Sequence, residues 1–266
     1  MKIYLIGILT MGGLGLFFAA FLALAYQKLK VEENPKINEL LNALPGLNCA
    51  ACGFTGCYGL AEKAAQQGNL DNLRCPPGGD VVASQLAEIL GTDQISSLKK
   101  IAVVRCGGGK GKAFDKGLYH GIITCAAAEL VAKGYKSCEY GCLGFADCVR
   151  ACPFDAIRMG ADDLPFVNPH KCTACDKCVA ACPRDIIVLN PCAQQYYVNC
   201  NSLDKGVVVR KNCTVGCISC NICVKASPQV FKMENNLAYV YDHSKCDSSC
   251  DAATEKCPTK CIVKNY

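Results

Sequence analysis

An α+β chain, built of small units behind one apolar helix, is the fold class that the sequence predicts. Three observations predict it. Residues 3–26 carry no charged side chain. The 24 cysteines among 266 residues crowd into short groups. One cysteine-bearing stretch occurs twice, because residues 136–153 align without gaps to residues 211–228.

The first element is the apolar run IYLIGILTMGGLGLFFAAFLALAY, long enough to cross a hydrocarbon core as a helix of about 20 residues. Ala23-Leu24-Ala25 resembles a leader-peptidase site, but the run exceeds the usual 7–15 apolar residues of a leader. Lys28 and Lys30 follow it and Lys2 precedes it, which places the C-terminal part in the cytoplasm by the positive-inside rule. A single-pass plasma-membrane protein in contact with lipid is the expectation.

Cysteine at about 9% suits either a disulfide scaffold or a chain folded around metal. Most neighbours here lie two or three residues apart, too close for ordinary disulfides and well suited to chelation. Residues 28–42 read as a polar linker. Cys49-x2-Cys52-x4-Cys57 then precedes a helix over 58–67, and Cys75 lies beyond it. With a second helix over 81–90 stopped by Gly91, residues 43–92 form a small unit closed around one metal centre. Spacing alone leaves zinc open there. Residues 93–135 form an α/β connecting region with a strand IAVVRC and a helix near 126–132.

Cys172-x2-Cys175-x2-Cys178-x3-Cys182-Pro183 is the most specific motif. Three Cys at steps of three wrap one cubane, and the fourth, before Pro, ligates the neighbouring cluster of a two-cluster ferredoxin. Zinc ribbons use separated Cys pairs instead. Residues 136–192 are therefore a ferredoxin-like dicluster unit. Cys172, Cys175 and Cys178 share a 4Fe-4S cluster with Cys152. Cys182 joins Cys142 and Cys148, and because Phe145 stands where the middle Cys belongs, Cys138 is expected as the fourth ligand. A three-iron or empty site is the alternative.

Residues 193–266 are a second, partly degenerate ferredoxin-like unit. Cys217, Cys220, Cys223 and Cys257 complete one cluster site. Its partner site lacks thiols at Ser227, Ser249 and Ala252. Cys213, Cys246, Cys250 and Cys261 are extra thiols that could rebuild a fifth site. Four clusters are expected, or five with that one. Cys106, Cys125, Cys192 and Cys200 fit no motif and read as buried thiols. The stretches IIVLN, VVVR and AYVY read as strands.

The formal charge of +5 counts every thiol as neutral. Each 4Fe-4S core held by four thiolates adds about −2, so four would bring the chain to about −3. Nucleic-acid binding gains no support, since there is no basic run and no stacking motif. Residues 106–112 are glycine-rich but lack the hydroxyl of a phosphate loop, with Ala113 in its place. His120, His170 and His243 are scattered and form no catalytic motif. Arg150, Lys171, Lys177 and Arg184 are candidates for attracting an acidic redox partner.

The order of apolar span, Cys-x2-Cys-x4-Cys-x17-Cys and paired ferredoxin motifs resembles the B subunit of the Rnf ion-translocating electron-transport complex, in a long form with a second ferredoxin-like unit. The resemblance implies an electron-transfer subunit that takes electrons from reduced soluble ferredoxin. It passes them to other subunits for NAD reduction coupled to sodium or proton transport. The chain is then part of a translocase without a complete catalytic site of its own. The alternatives are an electron-transfer subunit of another membrane oxidoreductase and a zinc-binding structural protein.

Overall fold

A computed structural model describes residues 2–29, 34–71, 73–92 and 99–264. Parts of the expected linker and of the start of the connecting region, residues 30–33 and 93–98, lie outside the described residues.

Helix α1 (Lys2–Leu29) is continuous, and its segment Ile6–Leu29 is long and apolar enough to span a membrane, with none of its hydrophobic window buried in the protein. So many exposed Leu, Ile and Phe side chains suit lipid and not water, which points to membrane association.

The next unit packs three helices. α2 (Pro35–Ala43) begins with Asn34 accepting a hydrogen bond from the Lys36 amide and with Pro at its first position. α3 (Cys57–Gln67) and α4 (Gly79–Leu90) end at Gly68 and Gly91, both left-handed, which satisfies their last carbonyls. Their apolar faces meet around Leu40, Leu60 and Leu86, with Cys57 and Cys75 in the same core.

Beyond residue 99 one order of elements occurs twice. The first copy runs β1 (Lys100–Val104), α5 (Cys125–Leu130), α6 (Asp147–Arg150), β2 (Ile157–Met159), β3 (Pro165–Val167), α7 (Lys177–Ala180) and β4 (Ile187–Pro191). The second runs β5 (Tyr196–Val198), α8 (Gly206–Asn212), α9 (Ile222–Ala226), β6 (Phe231–Glu234), β7 (Leu237–Val240), α10 (Ser248–Glu255) and β8 (Ile262–Lys264), with a 3-10 turn before α10. In each copy the outer strands pair antiparallel, β1 with β4 and β5 with β8, and a hairpin lies between them.

Two expectations change here. The connecting region is not separate, because its strand β1 pairs residue for residue with β4, from Lys100 opposite Pro191 to Val104 opposite Ile187. The run VVVR is helical, inside α8, not a strand. Only Val209 is buried there while Val207 and Val208 face outward, so packing of one helical face overrides β-propensity. Thiols make up much of both cores: Cys106, Cys142, Cys148 and Cys178 in the first copy, and Cys200, Cys217, Cys223, Cys250 and Cys261 in the second. Cores this small and this rich in buried thiol suit a chain folded around metal.

Candidate metal centres

Each cysteine loop is shaped by paired left-handed residues. Ala174 and Asp176 flank Cys175, and Ser219 and Asn221 flank Cys220, all with φ between 55° and 66°. Such alternation turns the chain around a point and directs successive N–H groups inward, forming a concave nest for negative charge. Gly144 and Ala146 repeat it around Phe145, so that loop keeps its curl without its middle cysteine. The Cys-Pro turns also agree, with left-handed Asp155, Asp185 and Lys260 three residues after Cys152, Cys182 and Cys257.

In the helical unit, Cys49, Cys52 and Cys57 are the thiols nearest Cys75 electrostatically. The Asn48 side chain accepts the Cys57 N–H at 2.9 Å and pins the loop to the start of α3. In the first repeat, Cys152, Cys172, Cys175 and Cys178 line one cavity with Phe154, Ile157 and Leu189. In the second, Cys217, Cys220, Cys223 and Cys257 line another, with Cys261 at its wall.

Cys142, Cys148 and Cys182 line a further cavity, and the fourth thiol there is Cys125, not Cys138. Thr124 caps α5 and puts Cys125 at its first position, while the Ala126 amide donates to Asp147 at 3.0 Å and ties α5 to the loop of α6. Phe145 is packed between Tyr119 and Tyr135, with ring centroids 5.6 and 5.5 Å away. An aromatic cluster thus takes the place of the missing cysteine, while the 105–135 segment brings another thiol, Cys125, to the same cavity.

Cys138 lies elsewhere, in a cavity lined also by Cys106, Cys200 and Cys213. Cys213, expected as an extra thiol of the degenerate site, is likewise drawn away from it. Cys246 and Cys250 are joined as a disulfide, which removes both from the expected fifth site. That position is filled instead: Cys250 and Ala253 of α10 are fully buried, and the Ser227 and Ser249 hydroxyls are 2.7 Å apart. Cys261 is buried within hydrogen-bonding reach of both Cys200 and Cys217. Cys192 is exposed, not a buried thiol.

Burial decides the electrostatics. Desolvation pushes the Cys142, Cys148 and Cys178 thiols up to about 12, and those of Cys138 and Cys223 up to about 11. Hydrogen bonding from Cys261 holds Cys200 down to about 7 and Cys217 down to about 6. Binding of metal to such thiols displaces their protons. Among the described residues, no group of three or more His, Cys, Asp or Glu is placed to hold a metal ion. Thiols line these cavities in fours, the donor set of a polynuclear iron–sulfur cluster. The residues therefore fit iron–sulfur clusters.

The charged candidates divide. Arg150 and Lys171 are exposed. Arg184 is buried: it donates to Glu129 at 2.6 Å, to the carbonyls of Cys138 at 3.0 Å and Gly141 at 2.6 Å, and to the Lys133 carbonyl. It cannot greet a partner, because it clamps the loop that carries Cys138 and Cys142 to the end of α5.

Comparison with known families agrees with this reading. Residues 137–187 match the 4Fe-4S dicluster domain, residues 214–264 match the 4Fe-4S single cluster domain of Ferredoxin I, and residues 44–77 match the FeS family. Fold and sites thus define an iron–sulfur electron-transfer protein. Over 258 residues the chain is 42% identical to the B subunit of the Na(+)-translocating ferredoxin:NAD(+) oxidoreductase complex of Acetobacterium woodii, covering 97% of this chain and 76% of that protein. It is 38% identical to the B subunit of the ion-translocating oxidoreductase complex of Methanosarcina acetivorans, over 96% of both chains. It is 41% identical to the B subunit of the proton-translocating ferredoxin:NAD(+) oxidoreductase complex of Clostridium ljungdahlii, over 94% of this chain and 88% of that one. The chain belongs to this family, the B subunits of Rnf ion-translocating oxidoreductase complexes, and is an iron–sulfur electron-transfer subunit of such a complex.

Proposed function

We propose that tandem ferredoxin-like units on this chain carry electrons from reduced soluble ferredoxin toward other subunits, where NAD is reduced and sodium or protons are moved. Four 4Fe-4S clusters are held by Cys49, Cys52, Cys57 and Cys75; by Cys125, Cys142, Cys148 and Cys182; by Cys152, Cys172, Cys175 and Cys178; and by Cys217, Cys220, Cys223 and Cys257. The observation that carries this reading is the closeness of neighbouring sites, since α6, which carries Cys148, packs against α7, which carries Cys178. Helix α1 crosses the plasma membrane once in contact with lipid, and the cysteine-rich part lies in the cytoplasm.

A 4Fe-4S cluster takes up and releases one electron at a time. The chain's own residues set the conditions. Their thiolates bind iron after losing protons, apolar walls such as Ile157, Leu189, Ile186 and Ile187 exclude water, and backbone N–H groups donate to ligand sulfur. Ala156 donates to Cys152 at 3.4 Å, Ala102 to Cys172 at 3.4 Å and Cys261 to Cys257 at 3.3 Å. Such bonds favour the reduced, more negative state and raise the potential. One apolar helix without internal charge offers no ion path, so pumping resides in the assembled complex.

The test is anaerobic mixing of the purified full chain with reduced ferredoxin, followed by EPR. Rapid oxidation of the ferredoxin is expected, with its electrons reducing clusters on this chain and new EPR signals of reduced 4Fe-4S centres appearing. A chain loaded with iron that leaves reduced ferredoxin untouched would sink the donor assignment.

A further inference from the structure

The four thiols that no motif unites, Cys106, Cys138, Cys200 and Cys213, share one cavity. Two come from each repeat in matching places. Cys106 and Cys200 each lie two residues past the outer strands β1 and β5, and Cys138 and Cys213 are equivalent in the aligned runs. The Gly107 amide donates to the Asn199 carbonyl at 3.0 Å, stitching the two approaches together. Gly108 lies against the sulfurs: a β carbon there would stand 3.2 Å from the Cys213 sulfur and 3.7 Å from that of Cys106.

A buried cation supports a charged occupant. Lys136 is only 4% exposed and donates to the Gly108 carbonyl at 3.1 Å, which places its side chain at the wall of this cavity. A buried ammonium is expensive unless negative charge faces it. Four neutral thiols would not supply that charge. A cluster held by four thiolates, with net charge about −2, would.

The position also has a purpose. The Cys142 amide donates to the Cys106 sulfur at 3.3 Å, reaching from the site of Cys125, Cys142, Cys148 and Cys182. On the other side, Cys261 is in hydrogen-bonding reach of Cys200 and of Cys217, a ligand of the second unit's site.

We infer that Cys106, Cys138, Cys200 and Cys213 hold a further 4Fe-4S cluster, placed between the two ferredoxin-like units so that electrons pass from one to the other. This rests on the proposed electron-transfer role, and makes five clusters in all. Loading the site exchanges four thiol protons for bonds to iron, with iron and sulfide supplied by cluster assembly.

The experiment counts iron and sulfide in the anaerobically reconstituted full chain and in two double variants, C106A/C213A and C138A/C200A. Each variant is expected to carry about four fewer iron and four fewer sulfide than the parent, which holds about twenty of each. The EPR signals of the other clusters are retained. A folded variant with undiminished iron overturns the inference. Iron-edge anomalous diffraction from the parent protein needs no variant: a peak among the four sulfurs is expected, whereas no peak, or one at the zinc edge alone, overturns it. A parent protein with no clusters at all would instead overturn the electron-transfer reading.

Discussion

The backbone N–H of Cys142 donates to the sulfur of Cys106 at 3.3 Å, so a residue lining one cysteine-walled cavity bonds directly to a residue lining the next. The 105–135 segment makes this possible. It carries Cys106 to one cavity and Cys125 to the other.

Substitution distinguishes Cys125 from Cys138. Cys125→Ala should leave Cys142, Cys148 and Cys182 as three ligands and release about one iron, with a three-iron EPR signal appearing in the oxidised protein. Cys138→Ala should leave that site's four-iron signal unaltered. The opposite pattern would restore Cys138 as its ligand.

Arg184 is a structural clamp. Arg184→Met strands the Glu129 carboxylate and three backbone carbonyls, at a cost of about 3 kcal/mol, the lower end for a broken buried pair because Glu129 is a quarter exposed. Cluster release to a chelator should quicken accordingly, as followed by loss of visible absorbance. Arg184→Lys should rescue little, since an ammonium lacks the fork that reaches several acceptors.

Gly206 abuts the cluster loop of the second unit. A β carbon there would stand 2.2 Å from the Ile218 carbonyl oxygen, a backbone atom between Cys217 and Cys220. Gly206→Ala should therefore destabilise the unit by about 1–3 kcal/mol. Thermal unfolding should shift down, with the EPR signal of the Cys217, Cys220, Cys223 and Cys257 site broadened or lost while the other signals persist.

Restoring the absent cysteine of the degenerate motif should not restore a site. Ser227→Cys is expected to add no iron, because α10 fills the space and Cys246 is paired with Cys250. A gain of about four iron on analysis would refute this.

Legibility followed the range over which each site is built. Cys172, Cys175 and Cys178 are neighbours on a loop, so their spacing alone reveals a curl around one centre. Cys125 is brought in by the packing of α5 on the loop of α6, and nothing in local spacing records that contact. The cavity of Cys106, Cys138, Cys200 and Cys213 depends on two repeats facing each other. The alignment of Cys138 with Cys213, and the parallel placing of Cys106 and Cys200 after strands, held the signal that could have revealed it. VVVR shows the converse, a local preference overruled by the single buried Val209. The α+β class and the long apolar helix were plain from composition and pattern. The pairing of β1 with β4, which has the rest of the first copy between them, was not.

Among the thiols of the five proposed sites, Cys220 alone is exposed. Polypeptide insulates every other sulfur at least in part, so the chain has one thinly covered terminal. Whatever exchanges electrons quickly there also meets dissolved oxygen there. Oxidative damage should begin at that terminal, leaving a chain whose inner clusters survive but are cut off from the outside.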